Sequence, residues 1–269
     1  MESGPQQAAG RAAGGGGPLL SVDNVTVRFG GITALDGVSF DVQAGDICGL
    51  IGPNGAGKTT LFNCLSRLYR PASGEIRFDG HALSSVPVHR MADLGIGRTF
   101  QNVALFRSLT VLENIMLGGH VRGQGGFVAN ALKLPLVRRS EAKLGRRARD
   151  LARFVGLESM LDSAAGQLPF GFQKRIELAR ALATEPKLLL LDEPAAGLNH
   201  KELDALTALV DRIRDELRTT ILLVEHHMNM VMSISDKIVV LNFGRKIADG
   251  LPPAVQGDPE VVRAYLGNG

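Results

Sequence analysis

The stretch "GPNGAGKT" at residues 52–59 decides the fold. It matches the pattern G-x-x-x-x-G-K-[ST], follows the short apolar run "DICGLI" and opens the helix-like run "KTTLFNCLSRL". Glycine lets a backbone bend sharply and approach a bound group, and a helix N-terminus presents aligned N–H donors to an anion. A strand, a glycine-rich loop and a helix in this order predict a phosphate-binding loop for a nucleoside triphosphate.

Two side chains of this loop have predicted roles of their own. Lys58 is expected to reach the β- and γ-phosphates, and Thr59 is expected to offer its hydroxyl oxygen to Mg²⁺. The alternative, a glycine-rich turn with a surface lysine, is disfavoured because the strand and the helix are both in place. The residues predicted to contact the nucleotide are Gly52, Pro53, Asn54, Gly55, Ala56, Gly57, Lys58, Thr59 and Thr60.

Two acidic residues lie at the end of another apolar run. In "LLLLDEP", Asp192 ends the run and Glu193 follows it. Ligands of open α/β sheets gather at the carboxyl ends of the strands. Asp192 is therefore predicted to hold Mg²⁺ through water, and Glu193 to act as general base on an attacking water. His226 ends the next strand, "ILLVEHH", and is a candidate to bind the γ-phosphate, although spacing alone does not separate it from His227.

The order of the remaining elements predicts an α/β fold. Alternating apolar residues in 19–42 and in "GEIRFDGHAL" predict antiparallel strands, whereas residues 110–186 are mostly helix-like and include a helix predicted in "KRIELARALATEP" at 174–186. Strands alternate with helices after residue 186, which implies a parallel sheet. One of these helices has an apolar face at three-and-four spacing, formed by Leu203, Leu206, Val210, Ile213 and Leu217.

The predicted organisation is one tail and one domain. Residues 1–17 are rich in Gly, Ala and Gln and are expected to be disordered. Residues 18–267 are expected to form a single domain in three parts. These parts are an antiparallel β subdomain with the phosphate loop at about 18–100, a helical subdomain at about 105–185 and the rest of the core at 186–267.

Composition limits the classes of function. The net charge of +3, with both signs mixed along the chain, gives no electrostatic argument for nucleic acid, and no nucleic acid partner is expected. No apolar stretch reaches the roughly 20 residues of a membrane-spanning helix, and no segment of signal type is expected at the N-terminus. Cys48 and Cys64 lack metal-site spacing and are expected to be buried free thiols.

These motifs together resemble the ATP-binding subunit of an ABC transporter. The likeness runs from Leu19 to Gly267 and includes, in the family's order, "GPNGAGKTT", Gln101 in "RTFQN", the stretch before "ARALA", "LLLLDEP", "AGLN" and His226. A closer likeness to LivG-type subunits of branched-chain amino acid importers is carried by "RTFQNVALFRSLTVLENI", "LPFGFQKRIELARALA", "DEPAAGLN" and "GDPEVVRAYLG". The resemblance implies a P-loop NTPase with a RecA-like core, an antiparallel β subdomain and an α-helical subdomain.

The resemblance also implies a head-to-tail sandwich of two subunits. Each ATP then lies between the phosphate loop of one subunit and the signature motif of the other. The stretch "LPFGFQ" at residues 168–173 occupies the signature position, so Gly171 and Gln173 are expected to face the partner's γ-phosphate. This stretch departs from the family pattern L-S-G-G-Q at Pro169, Phe170 and Phe172.

Gln101 and Asn199 are assigned by the resemblance, whereas Phe29 is a candidate from its place in the sequence. Gln101 is expected to act in catalysis and to bind Mg²⁺. Phe29 precedes a glycine turn and is a candidate to stack on adenine, with a place in the core as the alternative. Asn199 stands in "AGLN" where the family has Asp, which removes a charge from the implied dimer seam.

The implied function is Mg²⁺-dependent hydrolysis of ATP. The energy would drive uptake of amino acids, with branched-chain amino acids as the favoured cargo, through separate membrane subunits. The implied partners are a second ABC ATPase (a copy of this chain or a LivF-like subunit), transmembrane permease subunits and, indirectly, a solute-binding protein. The implied location is peripheral, at the cytoplasmic face of the inner or plasma membrane. Two alternatives stay open: the ATPase of a lipid or lipopolysaccharide exporter, and an ATP-gated module that does not hydrolyse.

Overall fold

The computed structural model describes residues 17–99, 104–120 and 135–266, with the backbone alone for residues 135–140. Residues 1–16 of the predicted tail lie outside the described residues, and so does Gln101. The predictions made for these positions stay predictions.

The described residues form ten strands. They are β1 (Leu20–Phe29), β2 (Ile32–Val42), β3 (Ile47–Ile51), β4 (Ser73–Phe78), β5 (His81–Ala82), β6 (Ile96–Arg98), β7 (Leu188–Asp192), β8 (Thr220–Val224), β9 (Lys237–Asn242) and β10 (Arg245–Gly250). One sheet is antiparallel with the order β2-β1-β4-β5, as the alternation near the N-terminus predicts. The other has the order β10-β9-β3-β8-β7-β6 and is parallel except for β10, which confirms the predicted parallel sheet.

Helices cover the two sheets and form a separate cluster. They are α1 (Lys58–Leu65), α2 (Met91–Leu94), α3 (Val111–His120), α4 (Pro135–Phe154), α5 (Phe170–Leu182), α6 (His200–Leu217), α7 (Met228–Ile234), α8 (Pro252–Gln256) and α9 (Pro259–Leu266). In the helical cluster, α3 packs against both α4 and α5. The exact boundaries of the three predicted parts stay a prediction.

The parallel sheet is buried on both faces, which explains its continuous apolar runs. Every residue of β3, β7 and β8 is buried. Because successive side chains of a strand point to opposite faces, alternate residues serve different layers. Leu188 and Leu190 pack with the antiparallel sheet and α1, whereas Leu189 and Leu191 pack with the helices of the other side.

Three details of the predicted helices are wrong. The helix predicted at residues 174–186 instead spans Phe170–Leu182, because a proline at the N-cap position 169 loses no helical hydrogen bond. Helix α1 ends at Leu65 rather than at Leu68. Leu217 lies in the last turn of α6 and is 39% exposed, so the buried apolar face of that helix ends at Ile213.

Both cysteines are buried free thiols, as predicted. Cys48 lies in β3 and Cys64 in α1. Burial raises the pKa of Cys48 to about 12 and that of Cys64 to about 11, so both stay protonated at neutral pH. Among the helices that the structure describes, none combines the length and apolar character needed to cross a bilayer.

Candidate nucleotide-binding and hydrolysis site

The phosphate loop joins β3 to α1, and its path depends on two glycines. Gly57 caps α1 in the left-handed region with φ 104°, and Gly52 has φ 150°. A Cβ on Gly52 would lie 2.1 Å from the carbonyl oxygen of Leu241 in β9, closer than any side-chain carbon can approach. Strand β9 pairs with β3, so its backbone lies directly beside the start of the loop. Position 52 therefore requires glycine for packing of the sheet and also for the approach of a ligand.

The amine of Lys58 is held inside this loop. Its Nζ donates hydrogen bonds to the carbonyl oxygens of Gly52 at 2.6 Å and Pro53 at 2.9 Å. Lys58 is only 6% exposed, and burial lowers its pKa, while the negative charge of Glu193 opposes that shift. The loop therefore places its single cation within electrostatic reach of Glu193.

A cavity of about 390 Å³ opens over the loop. It brings together four parts of the chain: the start of β2, the phosphate loop, the residues after β7 and β8, and the turn between β9 and β10. Its lining comprises Ile32, Thr33, Ala34, Asn54, Gly55, Ala56, Gly57, Lys58, Thr59, Thr60, Glu193, His226, Phe243 and Gly244. Most of the residues predicted to contact a nucleotide therefore line one cavity, while Gly52 and Pro53 contribute through Lys58.

Glu193 and His226 meet at the wall of this cavity. The Nε2–H of His226 donates to Oε1 of Glu193 at 2.7 Å. Glu193 has φ 47°, rare for a residue with a side chain, and its N–H donates to the carbonyl oxygen of Val224 at 2.9 Å. His227 instead caps α7, so the structure brings only one of the two neighbouring histidines to Glu193.

Asp192 ends β7 as predicted, but its carboxylate has a partner that the sequence did not indicate. Its Oδ2 accepts a hydrogen bond from Arg98 Nη2 at 2.9 Å. Arg98 also donates from Nη1 to Asn63 Oδ1 at 3.0 Å and to Ser66 Oγ at 2.8 Å, which ties Asp192 to α1 and the turn after it. Burial raises the pKa of Asp192, and the hydrogen bond and charge of Arg98 act in the opposite direction.

Glu225 is a second residue that the sequence analysis missed. It directly follows β8, is 2% exposed and accepts hydrogen bonds from three backbone N–H groups. The sequence did contain an indication of this role. A charged residue directly after an apolar strand is expected to be buried, and a buried charge must find hydrogen-bond partners. Arg98 had no such signal, since it ends a three-residue strand with no recognisable pattern.

The stretch at residues 168–173 forms the entrance of α5. Pro169 is the N-cap residue, and its carbonyl oxygen accepts the N–H groups of Phe172 at 3.0 Å and Gln173 at 3.2 Å. The side-chain amide of Gln173 donates to the carbonyl oxygen of Leu168 at 2.8 Å. The side chain of Gln173 therefore stabilises the turn that precedes its own helix.

Gly171 and Gln173 do not line the cavity that contains Lys58. A Cβ on Gly171 would lie 2.5 Å from Oε1 of Glu202 in α6, so Gly171 packs closely against that side chain. The ring of Phe170 packs near Gly197 but stays 44% exposed. The signature position and the phosphate loop are therefore separate surfaces of one chain.

Asn199 forms a capping box at the start of α6. Its Oδ1 accepts the N–H of Glu202 at 3.1 Å, and Oε2 of Glu202 accepts the N–H of Asn199 at 3.0 Å. The spacing N-x-x-E in "NHKE" was a readable sign of this motif. Asn199 therefore stabilises a helix of its own chain. This role is separate from the loss of charge at the implied dimer seam, where the family has Asp.

This capping role can be measured. Asn199→Ala should lower the free energy of unfolding by about 1 kcal/mol, because it removes the acceptor for the Glu202 N–H. Asn199→Asp should stay within about 0.5 kcal/mol of the unmodified chain, because aspartate is an equally good N-cap residue. Denaturant titration followed by circular dichroism measures both variants, and equal losses in the two would contradict the capping role.

The adenine-stacking prediction finds no support from the cavity. Phe29 is 46% exposed and packs edge-to-face on Tyr69, with ring centroids 5.1 Å apart. It does not belong to the cavity lining. Its partial exposure also rules out the alternative of a fully buried core position, so stacking on adenine stays a prediction.

A second cleft of about 390 Å³ lies between the antiparallel sheet and the β9–β10 hairpin. Its main charged groups pair with each other: Lys237 and Lys246 each contact Asp249 at 2.9 Å. The cleft is not lined by the glycine-rich loop. The chemistry of the phosphate loop, rather than cavity size, therefore identifies the nucleotide site.

A glycine-rich loop between a parallel strand and a helix, with acidic residues at the end of a neighbouring strand, defines a P-loop nucleoside triphosphatase. The sequence model of the ABC transporter family matches residues 35–196. A model described as branched-chain amino acid ATP-binding cassette transporter matches residues 245–269. The chain belongs to the ABC transporter family of ATP-binding proteins, and like its relatives it is an ATPase.

The individual relatives agree with this assignment. The chain is 46% identical over 250 residues to the high-affinity branched-chain amino acid transport ATP-binding protein BraF of Pseudomonas aeruginosa, covering 93% of this chain and 98% of that protein. It is 44% identical over 250 residues to LivG of Escherichia coli, with the same coverage of both chains. These likenesses confirm the family that the motifs indicated.

Solved structures give the same fold. A crystal structure of the ADP conformation of an ATP-binding cassette has a TM-score of 0.81 and 31% identity, covering 93% of this chain and 99% of that chain. A dimeric cassette in a post-hydrolysis state, bound to ADP and Pi, has a TM-score of 0.73 and 26% identity, covering 87% of this chain and 98% of that chain. The predicted α/β P-loop fold is confirmed.

Proposed function

We propose that the chain is the ATP-binding and ATP-hydrolysing subunit of an importer of branched-chain amino acids. The observation that carries this proposal is the match of the C-terminal residues 245–269 to a branched-chain amino acid cassette, added to 46% identity with BraF over 93% of the chain. The cavity over the phosphate loop supplies the site for ATP.

The first half of the proposed ATP site is the phosphate loop. Lys58 would exchange its hydrogen bonds to the loop carbonyls for the β- and γ-phosphates, and the N–H groups at the start of α1 would meet the same anion. Thr59 and Asp192 supply the hydroxyl and carboxylate oxygens that Mg²⁺ prefers, which makes them its proposed ligands with Gln101. Mg²⁺ would neutralise charge on the phosphates when bound.

Glu193 is the proposed general base. Its carboxylate lies at the cavity wall, and its hydrogen bond to His226 fixes the side chain. From this position it can accept a proton from a water that attacks the γ-phosphate. His226 would orient Glu193 through its Nε2–H, and a contact with the γ-phosphate would require the imidazole to release Glu193 and donate the same N–H to the phosphate.

The second half of the ATP site is proposed to come from another ABC ATPase subunit, a copy of this chain or a LivF-like one. Gly171 and Gln173 at the entrance of α5 would meet the γ-phosphate that the partner's loop holds. Their absence from the Lys58 cavity of the same chain supports this division. The exposed ring of Phe170 would lie at the seam.

Replacement of Phe170 by Asp should weaken ATP-dependent dimerisation more than ATP binding by the isolated chain. A charge at this half-exposed ring would oppose closure onto the partner, while the phosphate loop is untouched. Sizing chromatography with light scattering, together with nucleotide titration, measures the two effects. Val88→Asp, at a 52% exposed position before α2, is the matched control. Equal loss of binding and assembly would contradict the proposed seam.

The proposed setting is the cytoplasmic face of the inner membrane, where the chain would bind transmembrane permease subunits. The proposed contact for them is the helical cluster, together with the segment of Gln101 that lies outside the described residues. A solute-binding protein would act on the permease from the other side. ATP-driven closure and hydrolysis-driven opening of the two ATPase subunits would then change the permease between two states.

Uptake in the source organism tests the transport proposal. Deletion of the gene should reduce uptake of radiolabelled leucine, isoleucine and valine, and the unmodified chain should restore it. Lys58→Ala should fail to restore it although the protein is present. Normal amino acid uptake in the deletion strain, together with a defect in the outer membrane, would instead favour lipid or lipopolysaccharide export. The relatives BraF and LivG favour import over that alternative.

A further inference from the structure

The buried carboxylate of Glu225 links two loops that border the nucleotide cavity. Its Oε1 accepts the N–H of Ala195 at 2.7 Å. Its Oε2 accepts the N–H of His226 at 2.8 Å and that of His227 at 3.2 Å. Ala195 lies two residues after Glu193, so one side chain holds the backbone beside both proposed catalytic residues.

These hydrogen bonds continue the sheet beyond the point where its strands end. The β7–β8 pairing stops at Asp192 and Val224, and the Glu193 N–H then donates to the Val224 carbonyl oxygen. Beyond this point the Glu225 side chain replaces backbone pairing. It accepts the Ala195 N–H of one loop and the His226 and His227 N–H groups of the other. The two loops are therefore connected side by side although neither is part of a strand.

The charge of Glu225 makes this connection strong. Glu225 is 2% exposed, and the ion pairs found among the described residues do not include it. A buried carboxylate must be compensated by hydrogen bonds, and bonds to a charged acceptor are shorter and stronger than bonds between neutral groups. A neutral apolar residue at this position would leave all three N–H groups without this acceptor.

We propose that Glu225 is a positioning residue for ATP hydrolysis. It fixes the backbone of His226 so that Nε2–H reaches Glu193, and it links any movement of His226 to the loop that runs from Ala195 to Asn199. That loop ends at the N-cap of α6, which packs against the entrance of α5 at the signature position. The inference rests on the proposed roles of Glu193 and His226.

Glu225→Gln tests the inference with almost no change in shape. The new amide nitrogen carries hydrogens and cannot accept an N–H group, so one side of the connection is lost. We expect kcat to fall about 10- to 100-fold while KM and the Kd for ATP change by less than about twofold. Phosphate release gives kcat and KM, and titration with a fluorescent ATP analogue gives Kd. Glu216→Gln, at an exposed position in α6, is the matched control and should leave all three constants unchanged.

A double-mutant cycle separates positioning from a general loss of stability. If Glu225 acts through His226, then Glu225→Gln should cost little extra kcat once His226→Ala has been introduced. Fully additive losses would overturn the inference, and so would an unchanged kcat in Glu225→Gln. If Glu225→Gln does not fold, hydrogen exchange on the unmodified chain tests whether Glu225 holds the two loops. The amide protons of Ala195, His226 and His227 should be protected together, and free exchange of the two histidine amides would overturn the proposal.

Failure of this inference can be told apart from failure of the proposed site. If Glu193→Gln and His226→Ala both hydrolyse ATP at the unmodified rate, the assignment of the catalytic residues is wrong. If both lower kcat while Glu225→Gln does not, only the positioning role is wrong.

Discussion

Glu193→Gln is expected to lower steady-state ATP hydrolysis by about 10²- to 10⁴-fold, because glutamine cannot take a proton from the attacking water. The substitution keeps the shape of the side chain, and its Oε1 can still accept the His226 Nε2–H. The phosphate loop is unchanged, so ATP should bind and hold two subunits together. Phosphate release measures the rate, and light scattering on a sizing column with saturating ATP and Mg²⁺ measures the dimer.

The control for this experiment is Glu260→Gln in the first turn of α9. Its side chain is exposed and is not part of the cavity lining, so hydrolysis should be unchanged. A Glu193→Gln protein that still hydrolyses ATP at the normal rate would contradict the general-base role. A monomer at saturating ATP would contradict the two-subunit site. The general-base role of Glu193 would then be judged from the hydrolysis rate alone.

Lys58→Ala is expected to weaken ATP binding by about 10- to 100-fold, because a hydrogen bond to a charged group contributes about 1.5–3 kcal/mol. The substitution also removes the donor that the Gly52 and Pro53 carbonyl oxygens share, which loosens the loop. Hydrolysis should fall to background. Isothermal titration with ATP measures the affinity, and phosphate release measures the rate.

Lys143→Ala provides the matched control for the loss of a lysine. Lys143 lies on an exposed face of α4, far along the chain from the phosphate loop, and its removal should change neither affinity nor rate. Unchanged ATP affinity in Lys58→Ala would show that the cavity over residues 52–59 is not where the triphosphate binds. The same result would remove the basis for assigning the cavity-wall residues as catalytic.

Much of the site could be predicted from the sequence because its parts are local. The phosphate loop needs a strand, three glycines, a lysine and a hydroxyl within a few residues, and that spacing is visible in "GPNGAGKT". Asp192 was found because an acidic residue at the end of an apolar run marks the ligand-binding edge of a parallel sheet. The helix at the signature position was misplaced because Pro169 and Gly171 suggested a turn, whereas a proline at the N-cap is compatible with the helix that follows.

The contacts that the sequence did not predict all join residues that are distant along the chain. Arg98 and Asp192 are 94 residues apart and meet because β6 and β7 are neighbours in the sheet. Glu225 and Ala195 are 30 residues apart and meet because β7 and β8 are paired. No spacing rule links such residues, since their separation depends on the lengths of the intervening helices and loops.

The amino-acid sequence by itself determined the α/β class, the parallel sheet, the phosphate loop and the family, because these follow from local periodicity and from motifs of fixed spacing. Only the tertiary structure decided that His226 rather than His227 reaches Glu193, that Arg98 holds Asp192, and that Glu225 joins two loops. The physical reason is that each of these depends on which strands become neighbours, and burial then forces their polar groups to find partners across the sheet.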